Sequence, residues 1–337
     1  QVAGGKEMSA YSKIDNVILE EAARSNPLDL LIPMTKATER IIMVGDQNQL
    51  PHLIEEDILE ETIKKLQERG VEAKESDLRM ALFGKIFNNL QSATPKRTIT
   101  LTEQFRIHPF IGDFISKVYY RGDLKSGISN QADLKKHNLS LAWAQDKVAV
   151  FCDVKKAQGI EESGKSKSRK AEAVRIVKLL EELKSDHNFE NLSVGIITFY
   201  AKQVDEIFRE ASKKGYTEQR VDGSFEITLP YRETNDGREK LRIGSVDSFQ
   251  GKEFDIVILS TVRSNTISRT HENYKRAFGF LTLENRLNVA FSRSQKLLIV
   301  VGDSEMLSDD FAKTYVEGLH EFYNNLSTDK QYGNRIQ

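Results

Sequence analysis

A single cysteine, Cys152, is all the sulfhydryl chemistry the chain carries. That excludes a disulfide framework and a cysteine-rich zinc site and fits a reducing cytosol or nucleus. Set in the apolar run 148–152, it reads as a core residue. No apolar run approaches the ~18 residues of a membrane-spanning helix, and no secretory signal opens the chain, so a cytoplasmic or nuclear protein with no membrane partner is expected. Neither charge dominates, with 49 Lys and Arg against 50 Asp and Glu. Any nucleic-acid site must then be a local groove rather than a global field. An initiating Met is also missing: the chain begins Gln-Val-Ala-Gly-Gly, as expected of a fragment or a processed product. Its 337 residues predict roughly two domains.

What is there is a series of short apolar runs ending in polar loops, alternating with helical periodicity, the pattern of an α/β fold with parallel sheets. Residues 246–260 read Val-Asp-Ser-Phe-Gln-Gly-Lys-Glu-Phe-Asp-Ile-Val-Ile-Leu-Ser, a polar loop feeding a buried strand. Downstream, Arg286 and Arg293 are seven apart, so a helix would put both guanidiniums on one side, where fixed donor forks suit phosphate oxygens. Near the start, Asn16-Val17-Ile18-Leu19 is followed by Glu20-Glu21-Ala22-Ala23. Carboxylates at such a strand end can hold Mg²⁺ through water and polarise an attacking water; they also suit the first turn of a helix. A second strand, 40–44, runs into Gly45-Asp46-Gln47-Asn48-Gln49-Leu50-Pro51. Two helices are expected between 55 and 90, the second opening near Leu78, with Arg69-Gly70 between them.

The strings "VDSFQGKEFDIVILSTVRSN" and "RLNVAFSRS" resemble motifs V and VI of superfamily 1 helicases, in the branch that contains the nonsense-mediated-decay RNA helicase and senataxin. Glu20 to Ala23 resembles motif II, with Glu20 where the family usually has Asp. Residues 40–51 resemble motif III. Glu103-Gln104-Phe105-Arg106-Ile107-His108-Pro109 resembles motif IV.

The resemblance implies a recombinase-like helicase core. Residues 1–97 would be the end of the first core domain (motifs II and III), 98–326 the whole second core domain (motifs IV to VI), and 327–337 a polar, frayed tail. ATP and Mg²⁺ are the implied cofactors. Single-stranded DNA or RNA and an upstream part of the same parent chain are the implied partners. Glu20 would hold the metal, Glu21 would activate water and Gln49 would sense the γ-phosphate. Arg106 and Arg293 would act as arginine fingers. Gln104, Phe105, Gly251, Glu253 and Arg286 would line the nucleotide, and Thr198, Tyr200, Ser248 and Gln250 the nucleic acid. The chain is then expected to be the C-terminal part of an ATP-dependent helicase or translocase, inactive alone. The alternative is a nucleic-acid-binding or partner-docking module whose hydrolysis has decayed, which the substitution at Glu20 favours.

Residues 159–166, Gly-Ile-Glu-Glu-Ser-Gly-Lys-Ser, fit the phosphate-loop pattern and precede a helical segment at 170–184. In such folds the Mg²⁺ carboxylate lies on a later strand, whereas Glu20-Glu21 comes well before. The motif is expected to be a decoy, with the true phosphate loop upstream of Gln1.

Overall fold

The computed structural model describes residues 13–50, 56–71 and 82–337, which fall into two units divided between Thr100 and Leu101. In the first unit, β1 (Ile14–Leu19) pairs in parallel with β2 (Ala37–Met43). The helix Pro27–Met34 connects them. Asn26 caps it by accepting the Leu28 N–H at 2.9 Å, with Pro27 at the first helical position, where a missing N–H costs nothing. Ala22, Ala23, Leu30 and Phe83 form a small core, and Phe83 stacks on Phe87 at 6.0 Å. Phe83 comes from the helix Leu82–Leu90; the helix Glu56–Glu68 precedes it. Residues 72–81, including Leu78, lie outside the described residues.

The pattern of β2 predicts a buried strand, and here the structure differs: Ile18, Ile41, Ile42 and Val44 are exposed. A parallel sheet is normally covered on both faces, and a described sheet of two strands with one connecting helix does not supply that cover.

In the second unit, β3 (Glu103–Gln104) and β4 (Lys125–Ser126) form a short parallel ladder beside the helix Pro109–Tyr119. The main sheet comprises β5 (Ala149–Asp153), β6 (Val194–Thr198), β9 (Leu241–Ser245), β10 (Phe254–Ser260), β11 (Ser294–Gly302) and β12 (Gly333–Ile336), and β7 (Thr217–Gln219) and β8 (Phe225–Ile227) make a separate hairpin. The six strands lie in the order β12-β5-β11-β10-β6-β9, and every pairing is parallel. β10 is buried along its whole length, which is why its sequence is a continuous apolar run. The helices Lys170–Lys184 and Ala201–Ser212 bury Ile176, Leu180, Leu183, Ile207 and Ala211 with the sheet in one hydrophobic core.

The connection from the carboxyl end of β9 to the amino end of β10 takes only residues 246–253, opening with a 3₁₀ turn, Val246–Phe249. Two glycines permit this short path. A Cβ on Gly195 would lie 2.7 Å from the Phe249 ring and 2.8 Å from that of Phe254, and one on Gly244 would collide with the Ser248 hydroxyl. Phe249 and Phe254 are fully buried there with ring centroids 5.4 Å apart.

Residues 327–337, expected as a frayed tail, instead supply β12 on the outer edge of β5. Its polar composition reflects edge placement: Asn334 donates to the Trp143 carbonyl at 2.8 Å, and the Arg335 guanidinium lies 3.8 Å from the centre of the Tyr323 ring. The helical spacing from Phe311 to Phe322 resolves into Asp310–Tyr315 and Glu317–Glu321, followed by a π turn, Phe322–Leu326. They are interrupted at Val316, whose φ of −143° is not helical.

Two outcomes follow from this packing. Gly195→Ala is expected to lower the unfolding free energy by ~2 kcal/mol through overpacking against two phenyl rings, read from the urea midpoint; an unchanged midpoint would show that the crossover does not rest on Gly195. The second concerns His108, which caps the helix Pro109–Tyr119 by accepting the Phe110 N–H on Nδ1 at 3.2 Å. Burial, assisted by His137 nearby, holds its pKa at about 4, below the ordinary 6.5. The folded state therefore resists a proton that the unfolded state takes up. Stability is fully present above the unfolded value and is lost as pH falls from 6.5 towards about 4. Melting temperature should drop across that window, and less steeply in His108→Asn, which keeps a capping oxygen.

Candidate functional site

In the first unit, Glu20 and Glu21 follow β1 and Gly45 and Asp46 follow β2, so the carboxyl ends of two adjacent parallel strands carry the acidic residues. The backbones interlock beyond the strands, with the Val44 N–H donating to Leu19 O at 2.8 Å and the Ala22 N–H to Val44 O at 2.9 Å. Glu21 adopts a left-handed conformation, φ 52°, uncommon without glycine. Both glutamates are exposed. Gln49 is held by Asp46: its amide nitrogen donates to Oδ2 at 2.8 Å while Oδ1 accepts the Asn48 N–H at 2.9 Å. Exposed carboxylates with room for water are the kind of donor Mg²⁺ takes, which is the chemistry Glu20 offers, whereas both Asp46 oxygens are engaged by Asn48 and Gln49.

In the second unit, the motif IV segment is tied to the sheet by the His108 N–H, which donates to Gln295 O at 2.9 Å. This sets Arg106 beside Glu253 at the amino end of β10, with Nε 2.7 Å from Oε2 and both side chains partly exposed. Phe105 is exposed and its ring covers Gly127, which has no room for a side chain. Gln104 is occupied differently from the expectation. Its amide accepts the Ile107 N–H at 2.8 Å and donates to Ile107 O at 3.1 Å and to Ser126 Oγ at 3.3 Å, so it shapes the loop that presents Arg106.

The two arginines expected to share a helix face do not. The helix spans Glu284–Phe291, and Arg293 lies beyond its end, buried to 2% exposure. Its Nε donates to Val289 O at 3.1 Å, Nη1 to Lys252 O at 3.2 Å and Nη2 to Ser292 Oγ at 2.9 Å. Its carbonyl accepts the Phe254 N–H at 2.9 Å. Arg293 thus ties residues 252–254 to the helix end instead of presenting a free fork. Arg286 is likewise engaged, with Nη2 3.3 Å from Asp247 Oδ1 and the guanidinium 5.3 Å from the centre of the Phe280 ring. Gly251, at φ 74°, makes the turn between Gln250 and Glu253. Ser248 is exposed, with its hydroxyl donating to Ser245 O at 2.7 Å.

Thr198 and Tyr200, expected on the nucleic-acid edge, are buried. Tyr200 lies beneath Phe280, ring centroids 5.0 Å apart, and its hydroxyl accepts the Phe280 N–H at 3.2 Å. The carboxyl end of the sheet is a dense polar network. Glu172 accepts from Ser260 Oγ at 2.6 Å and from the Val262 N–H at 2.9 Å and pairs with buried Arg169 at 3.1 Å. Burial raises the Glu172 pKa against the pull of Arg169. Val262 stands at φ 68°, a genuine outlier for a β-branched side chain that persists only where its surroundings hold it. Phe280 carried no signal in sequence, because Tyr200, which it covers, is 80 positions away.

The stretch 159–166 is no phosphate cradle in this structure. Glu161 turns inward, 3.0 Å from Arg263 Nε, and accepts the Ser264 N–H at 3.0 Å. The loop amides of Glu161 and Glu162 donate to Ser264 O at 3.0 Å and Ser168 O at 2.8 Å. Two of the loop's backbone donors are thus turned to the protein itself, and the helix starts only at Lys170.

Two family models, each described as an AAA domain, match residues 1–56 and 82–305. Among curated relatives, the chain is 26% identical over 95% of its length to the putative ATP-dependent RNA helicase ECM32 of Saccharomyces cerevisiae, covering 28% of that protein. It is 27% identical over 91% of its length to the regulator of nonsense transcripts 1 homolog of Neurospora crassa, covering 24%. It is 29% identical over 91% of its length to helicase sen1 of Schizosaccharomyces pombe, covering 16%. The chain therefore spans less than a third of the length of each. A solved arterivirus nonstructural protein 10 helicase overlaps 87% of this chain and 40% of its own at a TM-score of 0.36 and 14% identity. With the AAA-domain match over residues 82–305 and relatives drawn from the nonsense-transcript and sen1 helicases, this chain belongs to the AAA-domain family, within the superfamily 1 helicases of that branch.

Proposed function

We propose that the chain is part of an ATP-dependent helicase or translocase that works on single-stranded nucleic acid, with Arg106 as the arginine that meets the phosphates. The observation that carries this is the pairing of Arg106 with Glu253 at the amino end of β10. A partly exposed ion pair is worth little by itself, so an anionic ligand can take the place of Glu253 at small cost. Phe105, exposed beside it, offers an aromatic face. Arg293 supports the same loop from below through Lys252.

On the other unit, Glu20 would hold Mg²⁺ through water and Glu21 would accept the proton of the attacking water at its carboxylate. Bound Mg²⁺ supplies neutralisation of phosphate charge. Asp46 keeps Gln49 oriented. Serine and glutamine at 248 and 250 lie on the loop leading to Glu253, and the exposed residues Lys202, Lys275 and Arg276 supply cations at the carboxyl edge of the second sheet for a nucleic-acid backbone.

A second reading, a binding module whose hydrolysis has decayed, is favoured by Glu20 standing where the family usually has Asp, since the extra methylene shifts a ligand of a geometrically strict ion.

The chain by itself is expected to hydrolyse ATP negligibly with or without a single strand, and Lys165→Ala to change nothing; turnover abolished by Lys165→Ala would overturn both the reading and the decoy assignment. In a chain extended upstream through a phosphate loop, Arg106→Ala should lower strand-stimulated turnover by ~10³ with little change in ATP affinity. Arg293→Ala should behave differently and cost ~2 kcal/mol of stability, because it removes a buried side chain and its hydrogen bonds to the Lys252 and Val289 carbonyls. Comparable kinetic loss from both changes without destabilisation would reject the distinction. No turnover with either Glu or Asp at position 20 would favour the binding module.

A further inference from the structure

The loop 246–253 leaves the carboxyl end of β9, where Asp247 shares the sheet edge with Tyr200, Val262 and Arg263 beyond the carboxyl ends of β6 and β10, and runs to the amino end of β10, where it carries Glu253. One aromatic residue touches Tyr200 and, through Arg286, the start of that loop. The Phe280 ring lies against Tyr200 at 5.0 Å, inclined by 32°. Its backbone N–H donates to the Tyr200 hydroxyl, which also accepts Arg263 Nη1 at 3.3 Å. The same ring carries the Arg286 guanidinium at 5.3 Å, and Arg286 reaches Asp247 at 3.3 Å. Phe280 is 42% exposed, so it belongs to the surface at the carboxyl edge and not to the core.

We propose that Phe280 is a positioning residue that couples the carboxyl edge of the sheet to the loop 246–253 by holding Arg286 against Asp247. Arg286 is a long side chain with much rotamer freedom to lose. Its ion pair with Asp247 is only partly buried, and such a pair alone holds geometry poorly. The π face of Phe280 narrows the guanidinium to the orientation in which Asp247 is within reach. Asp247 lies in the turn that sets the course of Gln250, Gly251 and Glu253, so the orientation of Phe280 biases the loop that carries Glu253 to Arg106. An incoming strand that shifts or clamps the exposed Phe280 would then be felt at that loop. This last step rests on the reading that the carboxyl edge receives nucleic acid.

Amide hydrogen exchange on this chain tests the link. In the free protein, Phe280→Leu and Asp247→Asn should each speed exchange at residues 247–252 by about tenfold. The double variant should be no faster than either single, as for two ends of one contact, and Phe280→Tyr should restore the wild-type rate. Unchanged rates in Phe280→Leu, or effects that multiply in the double variant, overturn the coupling. Adding a homopolymeric single strand should slow exchange at residues 247–252 in the wild type and not in Phe280→Leu, while residues 264–283 are slowed in both. Equal slowing at 247–252 in both proteins overturns the coupling although the strand binds. If no strand binds, the nucleic-acid reading fails, and the link between Phe280 and the loop stands or falls on the free-protein rates.

Discussion

The loop entering β10 depends on one buried guanidinium. A cation taken out of water must have its donors satisfied, and Arg293 satisfies them on Val289 O, Lys252 O and Ser292 Oγ. Those acceptors belong to the end of one helix and the loop ahead of β10, so the requirement to pair one charge brings the two segments together. The Phe254 N–H closes the arrangement on the Arg293 carbonyl. Arg106, by contrast, keeps its side chain partly in solvent and pairs with a partly exposed carboxylate. Two arginines of similar sequence appearance thus do opposite physical work, one as a fixed support and one as an exchangeable contact.

Much of this was legible in the residues. Continuous apolar runs such as Ile256 to Leu259 announced buried parallel strands, and the helical segment expected at 170–184 stands there. What could not be read was the depth of each side chain. Seven-residue spacing suggested a common face for Arg286 and Arg293, but the helix stops at Phe291. The family resemblance put Tyr200 on the nucleic-acid edge, yet Phe280, 80 positions away, lies over it. The edge strand β12 was hidden for the opposite reason: its pairing partner supplies the backbone order, so its own residues need not be apolar.

The carboxyl end of the sheet holds stored strain. Val262 keeps a left-handed backbone because Glu172 accepts its N–H, and Glu172 is itself buried against Arg169 and Ser260. Each member is satisfied only while the others stay, which makes the network rigid. Rigidity there and an exchangeable ion pair at the other end give one sheet two mechanically different edges.

The strand order has a consequence for how the chain reaches its fold. β5 is made before the middle of the chain, yet both its neighbours, β11 and β12, come near the chain's end. Parallel pairings of such sequence separation form slowly, since the intervening chain must be ordered before they reward it. As the polypeptide leaves the ribosome, the apolar residues of β5, Ala149 to Cys152, therefore wait without partners while β6, β9 and β10 can already assemble. That interval exposes two unpaired strand edges, the state in which nascent chains aggregate or recruit chaperones.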